Sequence, residues 1–170
     1  LIIDPYFSAS KIQWLLENIK DQRNLIVGTI DTWIIWNLTN KAKHVTDITN
    51  ASRTMLYNIT DEIWDDELLN VFNIKKSILP TVLSNKDEYG FINSEHFGIE
   101  IPIGGVVGDQ QSASMGQLCL KKGMIKATYG TGCFVLINTD KNKITSKNNR
   151  LRTVAKKIDE KKQYAVEGSI

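Results

Sequence analysis

The chain has 170 residues, 42% hydrophobic and 24% charged, and its 21 basic and 19 acidic side chains leave a net charge of +2, which suits one or two globular domains. The pairs Lys121-Lys122, Lys156-Lys157 and Lys161-Lys162 are dispersed, so they read as solvated surface and exclude a nucleic-acid footprint. No apolar run reaches bilayer length and no signal-peptide pattern opens the chain. Two cysteines (Cys119, Cys133) and two histidines (His44, His96) exclude a disulfide framework and a metal cluster, so reduced thiols in the cytoplasm are expected.

Leu1-Ile2-Ile3 is a short apolar run checked by Asp4-Pro5. Ser8 or Ser10 is a candidate cap for a helix whose apolar face carries Ile12, Leu15, Leu16 and Ile19, with Trp14 beside it and expected in the core. Tyr6, just upstream, is an aromatic hydroxyl that can point into a cleft. From Leu25 to Leu38 the β-branched content argues for a strand, whereas Thr29 could cap a helix with Trp33 and Trp36 on one side; periodicity leaves both open. Asp47, Thr49, Asn50, Ser52 and Thr54 bond their own backbone and favour caps and turns. Trp64 to Phe72 predicts a helix with an acidic first turn and a stripe of Leu68, Leu69 and Phe72. Residues 84–100 read as loops and a short strand.

Ile99 to Val107 predicts a buried strand, bent at Gly104-Gly105, that runs through Gly108 into a helix from Asp109 to Leu120. A carboxylate at a strand's carboxyl end, opening a helix, sits where open α/β sheets place ligand crevices. Asp109 can take a proton from a substrate hydroxyl that the Gln110 amide orients. Taken alone, the stretch is read equally well, and more commonly, as a helix cap. Lys121-Lys122-Gly123 predicts the helix stop. Met124 to Tyr129 and Phe134 to Asn138 read as paired strands around Gly130-Thr131-Gly132-Cys133. That turn is either a plain hairpin or a set of bare N–H groups, with the Thr131 hydroxyl, able to approach an anion. No Walker loop is formed, since no Gly-Lys-Ser/Thr follows. Leu151–Ile158 and Gln163–Val166 predict a second pair of strands. The chain begins without methionine and stops inside an apolar pattern, which is expected of a fragment.

In their order along the chain, five stretches carry a resemblance: Tyr6 to Asn18, Gly28 to Trp36, Thr46 to Leu56, Gly108-Asp109-Gln110-Gln111 and Tyr129 to Phe134. Together they resemble the carbohydrate kinase family that shares the actin–hexokinase ATPase fold, and the second and third are similar to segments of its glycerol-phosphorylating members. The resemblance implies an α/β, ribonuclease-H-like kinase of two lobes that close over the substrates. Residues 1–118 would be the C-terminal part of the N-terminal, glycerol-binding lobe, and 119–170 the beginning of the C-terminal, ATP-binding lobe. It implies in-line transfer from ATP, with Mg²⁺, to glycerol, giving glycerol 3-phosphate. Asp109 would be the general base; Tyr6, Gln110 and Phe134 would line the glycerol pocket; Gly130, Thr131 and Gly132 would approach the nucleotide phosphates. Helix is favoured at Thr29.

A cytoplasmic homo-oligomer is the expected state of the full enzyme. The family's N-terminal phosphate loop, the Arg-Glu pair and tryptophan of its pocket, and its adenosine-binding motif are missing, and Asn18 to Leu25 is shorter than usual. These 170 residues alone are therefore expected not to turn over glycerol, although their parent should. The rival readings are another sugar kinase of the same family and a non-catalytic binding module.

Overall fold

The computed structural model describes residues 4–130, 132–141 and 150–169. Helix α1 (Ala9–Asn18) follows Ser8, whose side chain makes no capping bond. It buries Ala9 and Ile12, but Trp14 is 61% exposed, against expectation. Two positions beyond Ile12 means about 200° around the helix, so Trp14 belongs to the far side. The open question at Thr29 resolves as helix α2 (Ile30–Leu38), whose inward face is Asp31, Thr32 and Ile35. Its β-branched residues are helical because tertiary packing outweighs a weak propensity. Thr29 stands at the cap position, yet its hydroxyl donates to the Asp31 carboxylate instead of accepting from the backbone.

Asn40 and Lys41 turn the chain in left-handed conformations, φ 51° and 64°. Strand β1 (Val45–Asp47) follows, then helix α3 (Ile48–Ala51), and the hairpin of β2 (Tyr57–Asn58) with β3 (Ile63–Trp64). Helix α4 (Asp66–Val71) begins two residues later than expected, because Asp65 takes the cap and accepts from the Glu67 and Leu68 N–H groups. Strand β4 (Thr81–Leu83) pairs in parallel with β1, Val45 opposite Thr81. Strand β5 (Phe91–Ile92), a one-turn helix α5 (Ser94–Phe97) that the sequence did not announce, and β6 (Ile101–Pro102) complete this half.

The strand expected over 99–107 stops at Pro102. Beyond it Gly104 and Gly105 are exposed, and the chain is tied by single bonds, Ile103 N–H to Gly90 O (2.8 Å) and Val106 N–H to Asn85 O (2.9 Å). Helix α6 (Asp109–Gly116) is likewise shorter than expected. Gly116 is a poor helix former, and Leu118 already has φ 57°. Gly123 (φ 84°) therefore caps no helix: it lies in the turn into the sheet, its N–H on Asn138 O at 2.8 Å.

That sheet is antiparallel: β7 (Ile125–Tyr129), β8 (Cys133–Asp140), β9 (Leu151–Ile158) and β10 (Lys161–Ser169), in spatial order β7-β8-β10-β9. Both pairs of strands read from the sequence are present. The sheet is not isolated from the helical half. β9 lies against α3, and its Val154, wholly buried, belongs to the main core with Phe7, Ile12, Ile48, Leu56, Trp64 and Leu69. Burying each such side chain stabilises by about 1.5–3 kcal/mol.

Glu62 adds a polar clasp between the two halves. Its carboxylate accepts from Lys157 and Lys162, both at 2.7 Å, and all three side chains are less than one-third exposed. Burial disfavours the charged form, but the two lysine hydrogen bonds outweigh it and hold the carboxyl below its ordinary 4.5. A lowered native pKa contributes stability that is complete above 4.5 and fades as pH falls through the native value. Glu62→Gln should therefore unfold at lower urea than the unsubstituted chain at pH 7. The two midpoints should draw together as pH falls from 4.5 and converge below the lowered native pKa.

Candidate active site

The local origin of the site is a buried carboxylate, that of Asp47. Its side chain is wholly inaccessible and collects five donors: Thr49 N (2.7 Å), the Thr49 hydroxyl, Asn50 N (3.2 Å), Asn50 Nδ2 (2.6 Å) and Asn85 Nδ2 (2.7 Å). Burial raises its pKa, and the bonds from Thr49 and Asn50 pull the other way. The Thr49 hydroxyl, donating to Asp47, accepts from the Gly108 N–H at 2.8 Å. Asn85 binds the Val106 carbonyl at 2.9 Å through the same amide nitrogen. The two residues that lead into α6 are thus fixed by side chains far upstream.

Gly108, not Asp109, is the N-cap. The carboxylate of Asp109 stands one position inside the helix and is exposed, yet it still accepts a first-turn N–H, that of Gln110, as the capping alternative expects. It accepts from its neighbour Gln110, from N–H at 2.7 Å and side-chain Nε2 at 3.4 Å. A Cβ at position 108 would lie 2.8 Å from the Gln111 amide oxygen, so any larger residue there would have to displace that buried side chain. Gln111 is buried beneath, donating to the Val154 carbonyl at 3.3 Å.

The sheet supplies the opposite wall. Lys126 of β7 is opposite Leu136 of β8, which is opposite Glu167 of β10. Residues directly opposite share a face, and so do residues two apart on one strand. Lys126, Leu136, Glu167 and Phe134 therefore project from one side. On that side the Lys126 ammonium donates to Gln110 Oε1, and Glu167 pairs with Arg53, whose guanidinium lies 5.7 Å from the Tyr6 ring centre. Burial pushes the Lys126 ammonium's pKa down, and the Glu167, Asp109 and Cys119 charges oppose that. Burial also raises the Tyr6 phenol's pKa; Arg53 opposes this, and Glu167 and Asp109 add to it. The phenol, protonated at neutral pH already at its ordinary value, is a hydrogen-bond donor there.

Of the residues singled out in the sequence, Asp109, Gln110 and Tyr6 adjoin this charge cluster, and Phe134 shares its sheet face. Gly130 and Gly132 form the β7–β8 hairpin turn, Gly130 N–H on Gly132 O at 3.2 Å, and Thr131 lies outside the described residues. The Phe134 ring covers Gly132 so closely that a Cβ there would lie 2.8 Å from Cε2. The sequence reading missed Lys126, Arg53 and Glu167. The signal for Lys126 was present, a lone cation in the middle of an apolar strand. Among the described residues no group of three or more His, Cys, Asp or Glu side chains is gathered for a metal. A groove of about 460 Å³ between α1 and α2 is apolar, with Leu16, Trp33 and Trp36 in its walls and no carboxylate, so it is not the chemical site.

Residues 1–116 match the N-terminal domain of the FGGY family of carbohydrate kinases. A glycerol kinase of Dichelobacter nodosus is 56% identical over 177 residues, covering 100% of this chain and 36% of that protein. The structure superposes on the Plasmodium falciparum glycerol kinase with ADP with a TM-score of 0.92 at 43% identity, over 98% of this chain and 35% of the other. For the gluconate kinase of Lactobacillus acidophilus the TM-score is 0.77 at 26% identity, over 96% and 33%. The chain thus spans about a third of the length of the relatives it matches.

Removing the Thr49 hydroxyl should loosen the whole assembly, because it leaves the Gly108 N–H without its acceptor and takes one of five donors from Asp47. Thr49→Val should cost about 1–3 kcal/mol in urea unfolding, the penalty for unsatisfied buried groups. Thr49→Ser, which keeps the oxygen, should stay within about 1 kcal/mol of the original.

Proposed function

The chain belongs to the FGGY family of carbohydrate kinases, with that family's actin/hexokinase-like fold, and from this premise we propose that its parent protein phosphorylates glycerol. One primary hydroxyl attacks the terminal phosphorus of ATP, the bond to the ADP oxygen breaks, and the hydroxyl proton passes to Asp109. The products are glycerol 3-phosphate and ADP. The observation that carries this reading is the exposed Asp109 carboxylate at the start of α6, with the Gln110 amide against it and Tyr6 and Phe134 facing the same cluster.

Each residue then has a physical task. Gln110 and the Tyr6 phenol satisfy hydroxyls, which is how a substrate of so little surface is selected. The Phe134 ring covers the carbon face. Gly130, Thr131 and Gly132 offer their backbone to the nucleotide phosphates, and the cover of Phe134 over Gly132 ties that turn to the glycerol side. We assign residues 1–118 to the glycerol-binding lobe and 119–170 to the beginning of the ATP-binding lobe, in a cytoplasmic homo-oligomer.

The donor set fits Mg²⁺ only in part. With no metal cluster among the described residues, the ion would be held chiefly by the nucleotide phosphates, and Asp109 is the exposed carboxylate of the cluster that could assist. There it would neutralise charge developing on the transferred group.

The deciding experiment uses the full-length protein that carries this chain. ADP release with glycerol should be measurable, and Asp109→Asn should lower kcat by about 10²–10⁴-fold, the usual share of a general base, while ATP still binds. Retained turnover excludes the base. A panel with pentoses, ketoses and gluconate separates the family's other substrates: preference for any of these over glycerol overturns the assignment.

A further inference from the structure

The geometry points to Lys126 as the positioning residue that fixes which way the Gln110 amide faces, and so presents an N–H, rather than a carbonyl, to the substrate hydroxyl beside Asp109. This rests on the reading of Asp109 and Gln110 given above and deepens it. Lys126 is wholly buried on the shared face of β7, β8 and β10, and its ammonium meets one atom of the Gln110 side chain. An ammonium has only donors, so that atom must be the carbonyl oxygen, Oε1. The amide nitrogen is then turned to Asp109, 3.4 Å from Oδ2. In the reversed orientation an N–H would face the ammonium and a carbonyl would face the carboxylate, two contacts of like polarity.

The orientation matters for the chemistry. A hydroxyl that accepts from Gln110 keeps its own proton free to give to Asp109. A hydroxyl facing a carbonyl would spend that proton on the amide and leave the base without one. Lys126 can hold its charge in this buried place because Glu167, in the same row of the sheet through Leu136, and Asp109 both lie near it. Arg53, paired with Glu167, keeps that carboxylate in position and leaves the Gln110 oxygen to Lys126. Lys126 itself touches Gln110, not the reacting atoms.

A double-mutant cycle in the full-length protein tests this. Lys126→Met and Gln110→Ala should each lower kcat/KM for glycerol by about 10- to 100-fold, with kcat falling as well as KM rising. The double variant should be no worse than Gln110→Ala alone, because Lys126 acts through that amide. Multiplying losses would mean a separate structural role and would overturn the proposal. Lys126→Gln, whose amide can still donate, should recover part of the loss; if the methionine variant fails to fold, it enters the same cycle in its place. The side-chain amide resonances of Gln110, assigned by their disappearance in Gln110→Ala, give a readout that needs no turnover. They should shift in Lys126→Met. Should the unsubstituted protein leave glycerol unphosphorylated, the functional reading falls, and an unmoved Gln110 amide pair would overturn the orientation separately.

Discussion

The site hangs from one buried carboxylate. An unpaired charge in the interior is costly, and Asp47 is tolerated because donors surround it. Those donors are not a local cap alone. Asn85 comes from 38 residues away, and the Thr49 hydroxyl that feeds Asp47 also receives Gly108 from a separation of 59 residues. The cost of burying charge is thus converted into positional order for the segment that precedes Asp109. Asn85 extends the knot to β9, accepting the Lys157 N–H at 2.7 Å. A hydrophobic replacement for Asp47 could fill the space but could not hold Thr49 and Asn85 in register.

The second constraint is electrostatic. Around Tyr6, Gln110 and Phe134 lie the anions Asp109 and Glu167 and the cations Arg53 and Lys126. Two of each sign leave the cluster locally neutral, so no single charge faces an apolar wall unopposed. The exposed member is Asp109, and the three others are buried or nearly so. That asymmetry suits a group meant to meet a substrate. The antiparallel register of β7, β8 and β10 produces the arrangement, since it aligns Lys126 and Glu167 across Leu136.

Much of this was legible in the residues. The runs 124–129 and 134–138 around a glycine turn specify a hairpin, and the acidic residues 65–67 specify a helix, although its start is read two residues early. Where local chemistry sufficed, the reading and the structure agree. It failed where distant contacts decide. Residues 103–107 look like strand because they are β-branched, yet no neighbouring strand reaches them, and Asn85 holds them instead. Trp14 is apolar but sits on the wrong side of α1. Arg53 and Glu167 are 114 residues apart, and nothing short of the fold brings them together.

The Asn85 amide, which accepts Lys157 N–H across 72 residues, has a further consequence for biosynthesis. Contacts of long sequence separation wait for the later segment. During synthesis from the amino end, the helical half can collapse early, but the knot under Gly108 stays one partner short until β9 has left the ribosome. Until that moment the growing polypeptide has the carboxylate of Asp109 in its sequence without the full framework that aims it, so aim is acquired only after the four-stranded sheet begins to form.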